Sequence, residues 1–198
     1  MPSAPFRLLP SPYCDQRPAG TVIDLLVVHA ISLPPGCFGG TEIDDLFLGR
    51  LAERDWGPVV PAFYEDVAAL RVSAHFLIDR LGRITQYVPI AARAWHAGQS
   101  LWQGRPRCND FSIGVELEGD AHTLFEPVQY QHLASLIKTL HAGLRRRGWG
   151  ALPQHRIVGH EQIAPGRKWD PGPFFEWEIL WGMLRTAKTG KWPLVWRH

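Results

Sequence analysis

Two apolar runs in this chain end in histidine: "DLLVVH" delivers His29 and "RIVGH" delivers His160. A buried strand that ends this way aims an imidazole at the rim of a sheet. Ten positions after His160 comes Asp170, inside "VGHEQIAPGRKWDPGP", whose prolines and glycines rule out a helix interior or a central strand. Two imidazoles and one carboxylate make a three-ligand shell for a divalent ion such as zinc, with a fourth position open for water. Water held there becomes a nucleophile near neutral pH. The competing reading is two strand-end histidines and a surface aspartate on a connector. The spacing lacks the specificity of HExxH or paired CxxC and leaves both readings open.

A metal hydrolase also needs a proton carrier and a cation for the oxyanion. "FSIGVELEG" alternates so that Ile113, Val115 and Leu117 share one face while Ser112, Gly114, Glu116 and Glu118 share the other. Either glutamate could move a proton, and alternation does not choose between them. Lys168, two positions before Asp170, could steady an oxyanion. The plainer alternatives are a surface carboxylate pair and a solvated lysine. His75 reads as a hydrogen-bonded core histidine, whereas His96, in "AWHAG", stands on a loop where it would meet a ligand. Trp95 and Trp102 offer flat rings that could stack on sugar. Neither GxSxG nor a glycine-rich phosphate loop is present, and the cysteines lack a nucleophile's setting.

The elements that must position these groups alternate between strand and helix. Strands are predicted at Asp24–His29, at Phe111–Gly119 and in "RIVGH"; a hairpin is predicted from Ala74–Asp79 and Ile84–Val88. "TEIDDLFLGRLA" predicts a short helix behind a Thr cap, Val128–Arg147 a long one stopped by Gly148, and Phe174–Thr186 a closing one. Residues 54–70 predict a short helix or irregular segment, and residues 91–110 a long loop, a length that points to function. The interleaving implies an α/β fold with a mixed sheet.

At 198 residues the chain fits one domain, 1–198, with a Pro-rich arm at 1–20 wrapped on the surface and a tail at 187–198. Apolar residues at 45% allow a large core, and charged residues at 20% exclude a disordered chain. A net charge of +2 is too weak for a nucleic-acid partner. The run Arg145-Arg146-Arg147 reads as a solvated helix end. Three unpatterned cysteines suit a reducing compartment. No signal pattern or bilayer-length apolar stretch is visible, so the expectation is a cytoplasmic protein without a membrane partner.

Several stretches taken together, "LLVVHAISLPPGCFGG", "LRVSAHFLIDRLGRITQYVP", "RAWHAGQS", "GRPRCNDFSIGVELEGD" and "GHEQIAPGRKWDPGPFFEW", resemble the AmpD-type N-acetylmuramoyl-L-alanine amidases. The resemblance runs from about Ser11 to Trp177. It implies a central mixed β-sheet flanked by helices, with a zinc site in a surface groove. It implies that His29, His160 and Asp170 hold Zn2+, that Glu116 rather than Glu118 is the acid/base, and that Lys168 stabilises the transition state. It further implies that Arg71 and Arg107 bind carboxylates of a stem peptide and that Trp95 and His96 line the groove. The implied substrate is a 1,6-anhydro-N-acetylmuramyl peptide, cleaved between the lactyl group and L-alanine in the cytoplasm by a monomer. Intact peptidoglycan is the alternative substrate, and a non-catalytic peptidoglycan-binding module the alternative class. Three positions depart from the family pattern: Ala30 stands where asparagine is usual, Glu161 where a small residue is, and Trp169 where threonine is.

Overall fold

The computed structural model describes residues 6–54 and 62–197. In chain order its strands and helices are β1 (Phe6–Leu8), β2 (Cys14–Gln16), β3 (Leu25–Ile31), α1 (Glu42–Phe47), α2 (Ala62–Ala68), β4 (Phe76–Ile78), β5 (Ile84–Gln86) and β6 (Ala92–Ala94). They continue with β7 (Leu101–Trp102), β8 (Arg105–Pro106), β9 (Ser112–Glu118), α3 (Pro127–Arg147), β10 (Ile157–Gly159), α4 (His160–Ile163) and α5 (Trp177–Thr186). Among the described residues the main sheet has six strands in the order β1-β5-β4-β9-β3-β10. Pairing is parallel except between β4 and β5, so the sheet is mixed, as the alternation of elements predicted.

The sheet's centre is β3 against β9, both buried along most of their length. In parallel register Leu26 faces Ile113 and Val28 faces Val115. These four, with Leu117, Phe76 and Ile78, pack under the stripe Leu133, Leu136, Ile137, Leu140 and Leu144 of α3. Each fully buried side chain of this kind contributes about 1.5–3 kcal/mol. Helix α3 starts with Pro127 in its first turn and a capping box between Glu126 and Gln129, and it stops at Gly148, whose φ of 66° is the left-handed conformation that glycine adopts freely. The three arginines sit in its last turn, at the negative end of the helix dipole, and the Arg147 side chain donates to the Gly143 carbonyl.

Several boundaries differ from the sequence expectation. The proline-rich arm does not merely wrap the surface: β1 pairs with the edge strand β5 and β2 pairs with β6, because each edge offers a row of free backbone groups. The loop at 91–110 contains β6 and the small β7–β8 hairpin. The closing helix begins at Trp177 instead of Phe174, since Phe175 is buried in the core and the Glu176 N–H donates to the Tyr130 hydroxyl before the helix starts. The tail lies on the body, with the Val195 carbonyl and N–H both bonded to the Gln86 side chain. The short helix expected within 54–70 is α2, while residues 55–61, like residues 1–5 and His198, lie outside the described residues.

Candidate active site

The face of the sheet opposite α3 gathers the candidate ligands His29, His160 and Asp170. His29 and Glu116 are direct partners in the β3–β9 register, so their side chains leave the same face side by side. His160 reaches the same place from the other neighbour of β3. Strand β10 ends at Gly159, one residue earlier than the sequence predicts, and His160 opens the single turn α4. Asp170 comes back to the site because its carbonyl accepts the Glu161 N–H at 2.9 Å, while the N–H groups of Arg167 and Lys168 both donate to the Ala164 carbonyl. The Arg167 side chain ties the same loop to the carbonyls of Ala97 and Gln99.

Three donor atoms converge. His29 Nδ1, His160 Nδ1 and Asp170 Oδ2 are each 3.0 Å from the other two, and all three residues are buried. A tetrahedral ion with ligands at about 2.0–2.1 Å requires donor–donor edges of about 3.3 Å, close to this triangle. The protonation states suit a cation. His160 Nε2 lies 3.2 Å from the Ala97 carbonyl, which can only accept, so in the neutral ring Nδ1 is bare and aimed at Asp170. Burial pushes His29 down to about 4 against the opposing pull of Asp170, so this ring is neutral at pH 7 and able to ligate.

Glu116 completes the set. Its carboxyl is buried, and Oε2 has no hydrogen-bond partner, an orphaned acceptor in a cavity of about 260 Å³ that His29, His160 and Asp170 also line. Burial and then Asp170 raise its pKa well above the ordinary glutamate range, while Lys168 acts in the opposite direction. Glu118 is different: its two oxygens accept the N–H groups of Gly39 and Arg80, which anchors flanking loops. The structure thereby separates the two glutamates that alternation left equivalent.

The other expected residues divide. Lys168 and Trp95 line the groove, with Ile31, Leu33, Phe47 and Val72 in its apolar wall. His96 lines it too, but it is buried against His29, with His29 Nε2 and His96 Nδ1 3.0 Å apart. Arg71 is exposed between Leu70 and Val72, both of which line the groove. Arg107 is exposed and ion-paired with Asp110 at 2.8 Å. Neither arginine lines the cavity. Trp102 packs with the cluster of Leu25, Val27 and Phe111 instead of facing a ligand. His75 is fully buried and accepts the Gly114 N–H, the core role expected of it. Trp169 stands at the rim, 49% exposed, and also lines an adjoining cavity of about 480 Å³. Glu161 is half-buried beside Gly159, and burial raises its pKa to about 7. Sequence reasoning missed the supporting set of Ser112, Asn109 and Arg167. Its one visible signal was the pair of small residues, Ser112 and Gly114, on the face of Glu116.

A mixed sheet that presents two imidazoles, a carboxylate and a second, unpartnered carboxyl in one groove has the parts of a metal-dependent hydrolase. The sequence profile of the N-acetylmuramoyl-L-alanine amidases matches residues 19–173. The 1,6-anhydro-N-acetylmuramyl-L-alanine amidase AmpD of Salmonella typhimurium (strain SL1344) is 52% identical over 171 residues, covering 86% of each chain. A crystal structure of a selenomethionine AmpD derivative superposes with a TM-score of 0.78 at 47% identity, over 93% of this chain and 96% of that one. The amidase AmiD of Escherichia coli, solved as a complex with the substrate anhydro-N-acetylmuramic acid-L-Ala-D-gamma-Glu-L-Lys, gives a TM-score of 0.58 at 31% identity, over 90% of this chain and 63% of that one. This chain belongs to the N-acetylmuramoyl-L-alanine amidase family and is a hydrolase.

Proposed function

We infer that the protein is a zinc-dependent amidase that hydrolyses the bond between the lactyl group and L-alanine of 1,6-anhydro-N-acetylmuramyl peptides, in cell-wall recycling. The observation that carries the metal reading is the 3.0 Å triangle of His29, His160 and Asp170 beside the unpartnered Glu116 carboxyl. The substrate class is supported by the AmpD and AmiD relatives, whose names specify anhydro-muramyl substrates. A cytoplasmic location is supported by three free thiols, Cys14, Cys37 and Cys108. No helix among the described residues is long and apolar enough to cross a membrane. A monomer suffices because one chain supplies every group of the site.

His29, His160 and Asp170 would hold the zinc ion, which supplies Lewis acidity toward the scissile carbonyl and toward water. Glu116 takes the proton of the attacking water, then gives it to the alanine nitrogen as the carbon–nitrogen bond breaks. Its raised pKa suits both halves of that task. Lys168, at the groove wall, places its ammonium toward the oxygen that gains charge in the tetrahedral intermediate. Burial of the surrounding groups strengthens that attraction. Trp95 and the apolar wall hold the substrate's non-reacting atoms. Arg71 and Arg107, outside the cavity, would meet the more distant carboxylates of the stem peptide. Trp169 at the rim replaces a smaller residue, and its exposed ring changes the fit without displacing a ligand.

Mass spectrometry of products tests the reading. Zinc-loaded protein incubated with an anhydro-muramyl tripeptide should release the free tripeptide and the anhydro sugar, each at the mass expected of amide hydrolysis. Efficient release from intact sacculi with little from the soluble compound would contradict the recycling role. No release from either would contradict the amidase role.

A further inference from the structure

The hydrogen-bond polarity around His29 can be followed atom by atom from a fixed starting point. The Cys108 carbonyl can only accept. Ser112 Oγ lies 2.6 Å from it, so the hydroxyl hydrogen points there. That leaves Oγ with lone pairs toward His96 Nε2 at 3.1 Å, so Nε2 carries the hydrogen. A neutral imidazole has one N–H, and His96 Nδ1 is therefore bare. His29 Nε2, 3.0 Å away, must be the donor. His29 Nδ1 is then bare as well, and it is the atom that faces His160 Nδ1 and Asp170 Oδ2.

The ring of His96 is held in place by its surroundings. The Asn109 side-chain oxygen accepts the N–H groups of His96 and Ala97, at 3.1 and 2.7 Å. Strand β9 leaves space for the ring at Gly114, where an added Cβ would lie 2.4 Å from His96 Cγ. Both ring nitrogens are engaged within the protein, so neither is left for a substrate.

We propose that His96 is a positioning residue: through Ser112 and the Cys108 carbonyl it holds His29 in the tautomer and orientation that ligate zinc. The proposal rests on the zinc reading above and reassigns His96 from the groove-lining, substrate-contacting role implied by the family resemblance. Removing such an outer partner of a metal-bound histidine typically weakens metal binding by about 10–100-fold.

Two measurements test it. Nitrogen-15 NMR of the imidazoles in the zinc-free parent reads the tautomer directly, and His29 should carry its hydrogen on Nε2. Competition with a chromophoric chelator reads zinc affinity. His96→Leu should lower it by about 10–100-fold, His96→Asn, which keeps an acceptor oxygen near the place of Nδ1, should recover most of the loss, and Ser112→Ala should lose less than His96→Leu. A hydrogen on His29 Nδ1 in the zinc-free parent overturns the proposal, and so does His96→Leu binding zinc as tightly as the parent. A parent that binds no zinc overturns the metal reading and this one with it. The NMR measurement needs no variant, so a His96→Leu protein that fails to fold leaves the proposal refutable.

Discussion

The two faces of β9 are equally hidden from water and opposite in chemistry. Toward α3 the strand presents Ile113, Val115 and Leu117, each with no exposed surface, locked into the largest apolar cluster. Toward the groove it presents Ser112, Gly114, Glu116 and Glu118, also buried. Burial of the first set is favourable at about 25 cal/mol per Å². Burial of the second set costs free energy unless each polar atom finds a partner. Ser112 and Glu118 find theirs in the protein, whereas Glu116 keeps one oxygen without any. One strand thus separates stability from function by alternation alone. Its groove face tolerates an unfavourable group because the α3 face, a single Cα away, is so well packed.

Substitutions on the two faces should separate cleanly, and the largest effect belongs to the groove. Glu116→Gln preserves size and removes the proposed proton carrier. Turnover should fall on the order of 10³-fold, within the range for lost acid–base catalysis, while zinc content stays near one per chain. Steady-state kinetics with metal analysis checks both. Near-normal turnover would break the division between Glu116 and Glu118. On the other face Leu117→Ala should cost about 2–5 kcal/mol of stability, read by urea unfolding. Its turnover per folded, zinc-loaded molecule should match the parent. A selective loss of turnover would mean that the faces are coupled.

Two smaller effects sharpen the contrast. Lys168→Met should lower kcat by about 10²-fold, the scale of one lost oxyanion partner, with little change in the melting temperature because Lys168 is exposed. The smallest effect concerns the stability of the zinc-free protein. Glu116 has a folded pKa above its unfolded value, so the folded state binds the extra proton. Stability from this group is full below the unfolded pKa and is lost as pH rises through the folded one. Glu116→Gln removes that loss. Near pH 8 the zinc-free variant should be more stable than the zinc-free parent, and the difference should shrink as pH falls toward 4. A thermal melt at the two pH values decides it.

The sequence displayed the faces of β9 better than it displayed their partners. Alternation in "FSIGVELEG" placed Glu116 and Glu118 together, because side-chain direction in a strand is a local property. The family resemblance chose Glu116; a physical reason for the choice required the register that sets His29 beside Glu116 and Ile31 beside Glu118. Register is a relation between segments far apart in the chain, and no single stretch encodes it. The same holds for His96, whose loop position suggested a ligand contact until the fold brought Ser112 and Gly114 beneath it. The helix α3 was legible nearly to the residue, since its cap, stripe and stop are all local. The strands β1 and β2 of the arm were not, because short edge strands are made by their neighbours more than by their own residues.

The most direct test of the account is amide cleavage after exhaustive chelation, followed by stepwise return of zinc. Activity should disappear with the metal and return in full at about one zinc per chain, and Asp170→Ala, which removes one of the three proposed ligands, should neither retain zinc nor recover at that stoichiometry. Cleavage that survives complete metal removal, or full recovery of Asp170→Ala with one equivalent, would contradict the claim that the groove face of β3 and β9 is built around a metal ion.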